Sequence, residues 1–274
     1  MVLESIITPF KAKEKPWHLF YLGFFFSIIA LFLSLWIFEE HSSLIMVFLT
    51  VFAVLPFVVK AIKKEESIIS DHSDEKSLLK SHFKALSGFL LLFLGMVLGY
   101  VILYTLLPKS IIQNVFSVQI ETITNINSTT TGFFFVDSIL GKILYNNLRV
   151  LALCILFSFI YGAGAIFILT WNASVIGTAI GNFIRDLIST SGINYFSAFS
   201  LGMLRYLIHG IPEIFAYFVG GLAGGIISYA IINHDFRTKK FENILMDSSD
   251  LVISSIIILI GAAFIEVYLT PILF

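Results

Sequence analysis

The sequence predicts an all-α membrane protein, a polytopic transmembrane helix bundle of about five to seven membrane segments that includes a re-entrant, broken helical hairpin. Of its 274 residues, 58% are hydrophobic and 13% are charged, whereas soluble domains average about 45–50% apolar and about 25% charged residues. So few charges cannot cover a soluble surface, which excludes a soluble enzyme. Several apolar stretches also reach the roughly 20 residues that a helix needs to cross a bilayer.

Four apolar stretches reach this length without interruption. They are Trp17–Phe38, Ser43–Ile62, Phe83–Leu107 and Leu148–Trp171. A fifth, Leu251–Leu273, is interrupted only by Glu266 and Pro271. We expect the first stretch to be a retained span, because it is longer than a typical signal-peptide core and no small-residue cleavage site follows it.

The apolar stretch Tyr195–Ile232 is too long for one ordinary span and too short for two spans joined by a loop. His209-Gly210-Ile211-Pro212 interrupts it, and proline removes a helix hydrogen bond and disfavours helix in the residue before it. We therefore expect a short helix, a break at His209–Pro212 and a full helix from Glu213 to Ile232. Non-helical backbone at membrane depth is tolerated only inside the protein or beside a water-filled cavity, so this hairpin should lie in the interior.

Basic residues predict the orientation, because cytoplasmic loops carry an excess of Lys and Arg. They concentrate in the N-terminal arm, after the second span and before the last span: Lys11, Lys13, Lys15, Lys60, Lys63, Lys64, Lys76, Lys80, Lys84, Arg237, Lys239 and Lys240. The long 108–147 loop carries only Lys109 and Lys142. We expect a plasma-membrane protein with a cytoplasmic N-terminus, in which Tyr195–Ile232 enters and leaves on the cytoplasmic side.

This topology divides the chain into six segments. They are a cytoplasmic arm (1–16), three spans with a cytoplasmic loop at 63–82 (17–107), an extracytoplasmic loop with one or two interfacial helices (108–147), a core with the broken hairpin (148–233), a cytoplasmic loop (234–250) and a last span (251–274).

Composition and spacing also exclude several kinds of site. A net charge of −1 argues against nucleic acid as a partner, which would need a basic surface. The single cysteine, Cys154, can form neither an intrachain disulfide nor a cysteine-based zinc site. His209 and Glu213 supply only half of a metal site, and no phosphate-binding glycine loop is present. We therefore expect no metal, no cofactor and no assignable catalytic residue.

The candidate site is a polar cluster inside the apolar segments. Arg205, His209 and Glu213 are spaced four residues apart, which places them on one helix face, and charges at mid-membrane normally face the interior and pair. Two interpretations stay open: a site for a solute, proton or partner, or a structural clasp in which Glu213 neutralises Arg205 and His209 caps carbonyls at the break. Glu266 is expected to pair with Arg205 or Arg149, to face a cavity, to be protonated or to lie near the outer interface.

Glycines at four-residue spacing predict close helix contacts, since small residues let two backbones approach. The pairs are Gly95/Gly99, Gly177/Gly181, Gly220/Gly224 and Gly221/Gly225. The last two pairs overlap, so we expect their helix to be the most tightly packed in the bundle.

Several motifs carry a resemblance to a known family: Asn146-Asn147-Leu148-Arg149, Trp171-Asn172-Ala173 followed by Gly177, His209-Gly210-Ile211-Pro212-Glu213-Ile214 and Ala223-Gly224-Gly225. Over roughly residues 140–232 the chain resembles the stage II sporulation protein M family, and its N-terminal part looks like the archaeal branch. In that family an Asn opens a span, an Asn followed by small residues and a Gly closes it, and a His-Gly-x-x-Glu motif precedes a Gly/Ala-rich helix. The matching positions are Asn147, Asn172, Gly177, His209, Gly210 and Glu213.

The resemblance implies a non-enzymatic membrane protein. The bacterial namesake anchors two peptidoglycan-degrading partners, so we expect a multispan scaffold that binds a membrane protein partner or a second copy within the lipid bilayer. The alternative is a transporter or channel for a small solute, an ion or a lipid, which would use the discontinuous helix and the Arg205, His209 and Glu213 cluster. A third, weaker hypothesis is an intramembrane hydrolase that uses His209 and Glu213.

Overall fold

A computed structural model describes residues 17–71, 75–128, 139–233 and 238–273, and every regular element in these ranges is helical. The helices are α1 (Trp17–Ile37), α2 (Ser42–Asp71), α3 (Glu75–Leu106), α4 (Lys109–Val115), α5 (Ser117–Ser128), α6 (Ile139–Tyr161), α7 (Ala165–Ser191), α8 (Tyr195–Asn233), α9 (Lys239–Phe264) and α10 (Thr270–Leu273). A 3₁₀ turn, Glu39–His41, precedes α2, and a π-helical segment, Ile265–Leu269, joins α9 to α10. The predicted arm 1–16 lies outside the described residues.

Seven of the described stretches are long and apolar enough to cross a membrane, which confirms the predicted all-α membrane bundle. Helices α8 and α3 are the most buried of these spans, and α6 and α9 are the least buried. Helix α8 packs against α6, α7 and α9, while α3 packs against α1 and α7. The bundle is therefore built around two inner helices, and α6 and α9 flank α8 on its periphery.

The predicted break at His209–Pro212 is wrong, because α8 continues through Pro212 as one helix. A proline inside a helix removes one backbone hydrogen bond, whereas a full break would leave several backbone groups unpaired where no water can reach them. In hydrocarbon the continuous helix therefore has a lower free energy than the broken one. At about 1.5 Å per residue, α8 is about 58 Å long, so it tilts or extends beyond a bilayer.

The predicted span Leu148–Trp171 is also wrong, because the chain turns in its middle. Helix α6 ends at Tyr161, Gly162 adopts a φ of 71° and α7 begins at Ala165. The Ser158 hydroxyl accepts a hydrogen bond from the Ala165 N–H at 3.1 Å and so caps the new helix. The turn escaped the sequence analysis because Ala163 and Ala165 are buried, so the apolar pattern runs through it without a polar loop.

The turn at Gly162 adds one candidate crossing, and the continuous helix α8 replaces the predicted hairpin with another. The predicted topology has 172–233 begin and end on one side of the membrane, and α7 and α8 are two candidate spans that are long enough to meet this condition by crossing twice. Two crossings would leave the basic segments on the same relative sides as the predicted hairpin does.

The segment between α3 and α6 contains the short helices α4 and α5, which pack onto the bundle. Phe116, between them, is buried and makes edge contacts with the rings of Tyr100 and Tyr104 on α3. On α5, the buried Gln119 amide bonds to Ser43 and Ser174. These contacts fix α5 against α2 and α7.

The glycines of α8 lie where its neighbours approach most closely. A Cβ on Gly224 would stand 2.5 Å from the Ile155 carbonyl oxygen, and one on Gly220 would stand 2.5 Å from the Leu151 side chain. On the adjacent face, Gly225 and Gly221 meet the Gly162 carbonyl and Ala165. Both glycine pairs therefore set the distance of α8 from α6 and from the turn before α7.

We predict that Gly224→Ala lowers the free energy of unfolding by about 1–3 kcal/mol, the usual cost of overpacking, because the new methyl group meets backbone. Gly210→Ala, on the same helix, is the matched control: no other atom lies within 4 Å of its added Cβ. Thermal unfolding in mild detergent measures both. Equal effects of the two substitutions would contradict the packing assignment.

Candidate functional site

The candidate site lies where α8 meets the end of α9. The Tyr217 hydroxyl donates a hydrogen bond of 2.7 Å to Glu213 Oε1, one turn away on α8. Thr270, one turn after Glu266, lies against His209, one turn before Glu213, so the two carboxyl groups lie at a similar level of the two adjacent helices. Both residues are half-buried. The structure therefore places Glu213 and Glu266 at a similar level within the candidate spans.

A buried threonine ties the two helices together at this site. The Thr270 hydroxyl donates to the Ile265 carbonyl at 3.2 Å, which spans the five residues of the π-helical turn. The same oxygen lies 3.3 Å from His209 Nδ1 on α8. A π-turn often marks a functional position, and Pro271, which lacks a backbone N–H, is the one signal of it in the sequence. His209 thus bonds Thr270 rather than capping a helix break.

Asn147 of α6 lies at the same depth as the carboxyl groups. Leu151 packs on Gly220 and Ile155 packs on Gly224, so α6 and α8 run in parallel with a constant offset, which places Asn147 level with residues 213–217. Asn147 is 4% exposed, and its Nδ2 has no hydrogen-bond partner in the described part of the chain. Its Oδ1 accepts a long bond of 3.4 Å from Asn146. A buried donor of this kind costs about 1–3 kcal/mol unless it is satisfied.

Arg205 does not join this cluster. Its guanidinium lies over the ring of Phe183 at 4.9 Å from the centroid, a cation–π contact that ties α8 to α7. In the continuous helix, eight residues separate Arg205 from Glu213 by about 12 Å, and the described residues contain no ion pair between them. The clasp in which Glu213 neutralises Arg205 is therefore wrong.

The other family-motif positions are dispersed through the bundle. The Asn172 amide donates to the Ile168 carbonyl of its own helix at 2.9 Å. A Cβ on Gly177 would stand 2.6 Å from Tyr100 Cβ, so this glycine permits contact between α7 and α3. Gly210 lines an apolar groove between α3, α7 and α8. Of the motif residues, Asn147, His209 and Glu213 thus lie at the cluster, and Asn172, Gly177 and Gly210 serve other contacts.

A second polar contact was missed because its members are far apart in sequence. His82 Nε2 lies 3.2 Å from Asp247 Oδ2 and joins the start of α3 to α9. His82 is 2% exposed, so this contact is internal. It lies at the opposite end of α9 from Glu266, so His82 supplies no positive charge to the carboxyl groups of Glu213 and Glu266.

The carboxyl groups of Glu213 and Glu266 can bind a cation or accept hydrogen bonds. Among the residues that the structure describes, no three His, Cys, Asp or Glu side chains are grouped to hold a metal ion. A cavity between α2, α3, α6, α7 and α8 is lined by apolar side chains such as Val58 and Phe89, and neither it nor the Gly210 groove includes Glu213 or Glu266. The carboxyl groups therefore stand apart from these apolar spaces.

Comparisons with known proteins agree with the resemblance. The family model Stage II sporulation protein M matches residues 88–271. Uncharacterized protein MJ0793 of Methanocaldococcus jannaschii is 35% identical over 133 residues, which cover 47% of this chain and 70% of that relative. No solved structure matches the chain.

We predict that Tyr217→Phe lowers the free energy of unfolding by about 1–3 kcal/mol, because Glu213 loses its hydrogen-bond donor. Glu213→Gln should cost less, since its amide oxygen still accepts from Tyr217. Tyr145→Phe is the control, because Tyr145 is 58% exposed. Thermal unfolding in one detergent compares the three, and a Tyr217→Phe variant as stable as Tyr145→Phe would rule out this role for the hydrogen bond.

Proposed function

This chain belongs to the stage II sporulation protein M family, and we propose on that premise that it is a non-enzymatic integral membrane scaffold. The observation that carries the proposal is the pair Glu213 and Glu266, which is half-buried within the spans and has no cation of the same chain beside it among the described residues. The cluster would contact a protein partner within the bilayer, either another membrane protein or a second copy.

The energetics of the bilayer support a partner-binding role. A charged side chain at the centre of a membrane helix costs about 2.5–3.5 kcal/mol on insertion scales, and such groups usually pair. Tyr217 satisfies one oxygen of Glu213, and Glu266 has no hydrogen bond among the described residues. A partner that supplies a cation or several donors would remove this cost, so the site favours association.

The contacts of His209 and Glu213, the two residues that a hydrolase would need, support a non-enzymatic role. His209 contacts Thr270, while Glu213 accepts from Tyr217. A nucleophile–base pair requires the two side chains within hydrogen-bond reach of each other. In this arrangement each side chain is held by a different structural partner, which disfavours the hydrolase hypothesis.

A transporter or channel is the second candidate, and the π-helical segment at Glu266 favours it. Wide turns of this kind occur at functional sites, and a carboxyl group at the level of Glu213 on the adjacent helix could bind a proton or a cation. The discontinuous helix that first suggested this hypothesis is absent from α8. The scaffold is therefore the stronger proposal.

The distribution of Lys and Arg also leads us to propose a plasma-membrane location with a cytoplasmic N-terminus. In this arrangement α7 runs outward and α8 runs inward. The turn after Ser191 would face outside and the segment before Lys239 would be cytoplasmic.

An impermeant thiol reagent applied to intact cells tests this orientation. We predict that Ser191→Cys is labelled and Lys239→Cys is not, although both positions are exposed. The native Cys154 is buried, and the unsubstituted chain provides the background. Labelling of Lys239→Cys alone would overturn the orientation, and protection of both would contradict the two crossings by α7 and α8.

Reconstitution separates the scaffold from the transporter. We predict that the purified protein moves no ion or solute into proteoliposomes above the level of empty vesicles. Affinity capture from native membranes in mild detergent should return a stoichiometric membrane partner or a homo-oligomer, and Glu213→Gln with Glu266→Gln should weaken it by at least about tenfold. Flux that the same double variant abolishes would favour the transporter and contradict the scaffold.

A further inference from the structure

We infer that the protein forms a two-fold symmetric homodimer in which Arg149 of each copy pairs with Glu266 of the other. This inference rests on the proposed scaffold function, because it names a second copy as the partner of the Glu213 and Glu266 site. It uses a residue that the site described so far leaves out.

Arg149 is a charged group inside a candidate span that has no partner among the described residues. It lies near the middle of the 23-residue helix α6, its side chain is exposed, and it makes no ion pair, hydrogen bond or ring contact with any described residue. Arg205 differs, because it lies over Phe183. A cation held at this depth next to lipid is costly, so α6 presents a group that needs an acidic partner.

The exposed side of α6 points away from its own bundle. Leu151 and Ile155 face α8, whereas Arg149, Ala152 and Leu156 are exposed along the opposite face. The helix is one of the two least buried spans, and the other is α9, which leads into Glu266. The faces that a second copy would cover therefore belong to the two helices that carry the unpaired charges.

The two charges also lie close enough in depth for their side chains to meet. The packing of Leu151 on Gly220 places Arg149 level with Phe218, about 7.5 Å from the level of Glu213 and Glu266. Helical side chains lean toward the N-terminus of their own helix. Helix α6 runs parallel to α8, whereas α9 runs antiparallel to α8. The side chains of Arg149 and Glu266 therefore tilt along the membrane normal toward each other's level. The length of an arginine side chain closes the remaining distance.

Symmetry explains why a second copy fits better than an unrelated helix. A two-fold axis along the membrane normal leaves the depth of every atom unchanged, and an isologous interface forms each of its contacts twice. One such interface would pair both copies of Arg149 with both copies of Glu266. The chain itself thus carries the two complementary halves of the contact.

Charge exchange tests the pairing. The dimer fraction is measured by single-molecule photobleaching in liposomes over a range of protein-to-lipid ratios. We expect Arg149→Glu and Glu266→Arg each to weaken dimerisation by at least about tenfold, as loss of a desolvated ion pair does, and the double variant to restore it. Arg149→Gln and Glu266→Gln give the same loss if a charge-reversed chain fails to fold. Arg205→Gln is the control and should leave the dimer unchanged.

Cross-linking locates the interface. In a Cys154→Ala background, one tagged copy carries Arg149→Cys and a differently tagged copy carries Glu266→Cys. A short thiol cross-linker should join the two tags, whereas Phe52→Cys, exposed on α2, should not cross-link to either.

A monomeric wild-type protein in lipid, a double variant without rescue, or cross-links at Phe52→Cys alone would overturn the inference. The scaffold proposal is decided separately by flux and by capture from native membranes. If capture returns a different membrane protein and depends on Glu266, the second copy is wrong and the scaffold stands.

Discussion

The cost of keeping carboxyl groups inside a bilayer constrains everything else about this site. Glu213 and Glu266 lie at a similar level of two adjacent helices, and the polar groups at that level are a tyrosine hydroxyl, a histidine that bonds Thr270 and an asparagine amide without a partner among the described residues. These groups offer hydrogen bonds and no fixed positive charge. Ionised carboxyl groups are costly in hydrocarbon and usually pair, so the cluster is best understood as half of a contact.

Helix packing holds the cluster around Glu213 and Glu266 in place. The glycines of α8 bring α6 within backbone contact, which fixes the depth of Asn147 and Arg149 relative to Glu213. The π-helical turn and Thr270 fix the end of α9 against His209. At the other end of α9, His82 and Asp247 join it to α3. The site is therefore positioned by packed helices rather than by a loop, which suits a rigid docking surface better than a moving gate.

Much of this could be predicted from the sequence. The shortage of charge predicted the class, and the glycine spacing predicted close contacts along α8, although Gly23 and Gly95 bring α1 and α3 closer still. The predicted polar cluster keeps His209 and Glu213, whereas Arg205 lies over Phe183 instead. Pro212 misled the analysis because the penalty for an unpaired backbone in hydrocarbon outweighs the loss of one hydrogen bond. The turn at Gly162 is buried and has no polar signal. Thr270 and Asp247 meet His209 and His82 only in three dimensions, which a single sequence does not reveal.

An electron cryomicroscopy structure of the full chain in a lipid nanodisc tests the central claim most directly. We expect two copies related by an axis along the membrane normal, with the guanidinium of Arg149 in one copy against the Glu266 carboxyl group of the other. A single copy with a water-filled path from Glu213 and Glu266 to one membrane surface would contradict it, since the acidic pair would then be compensated by solvent and would serve transport.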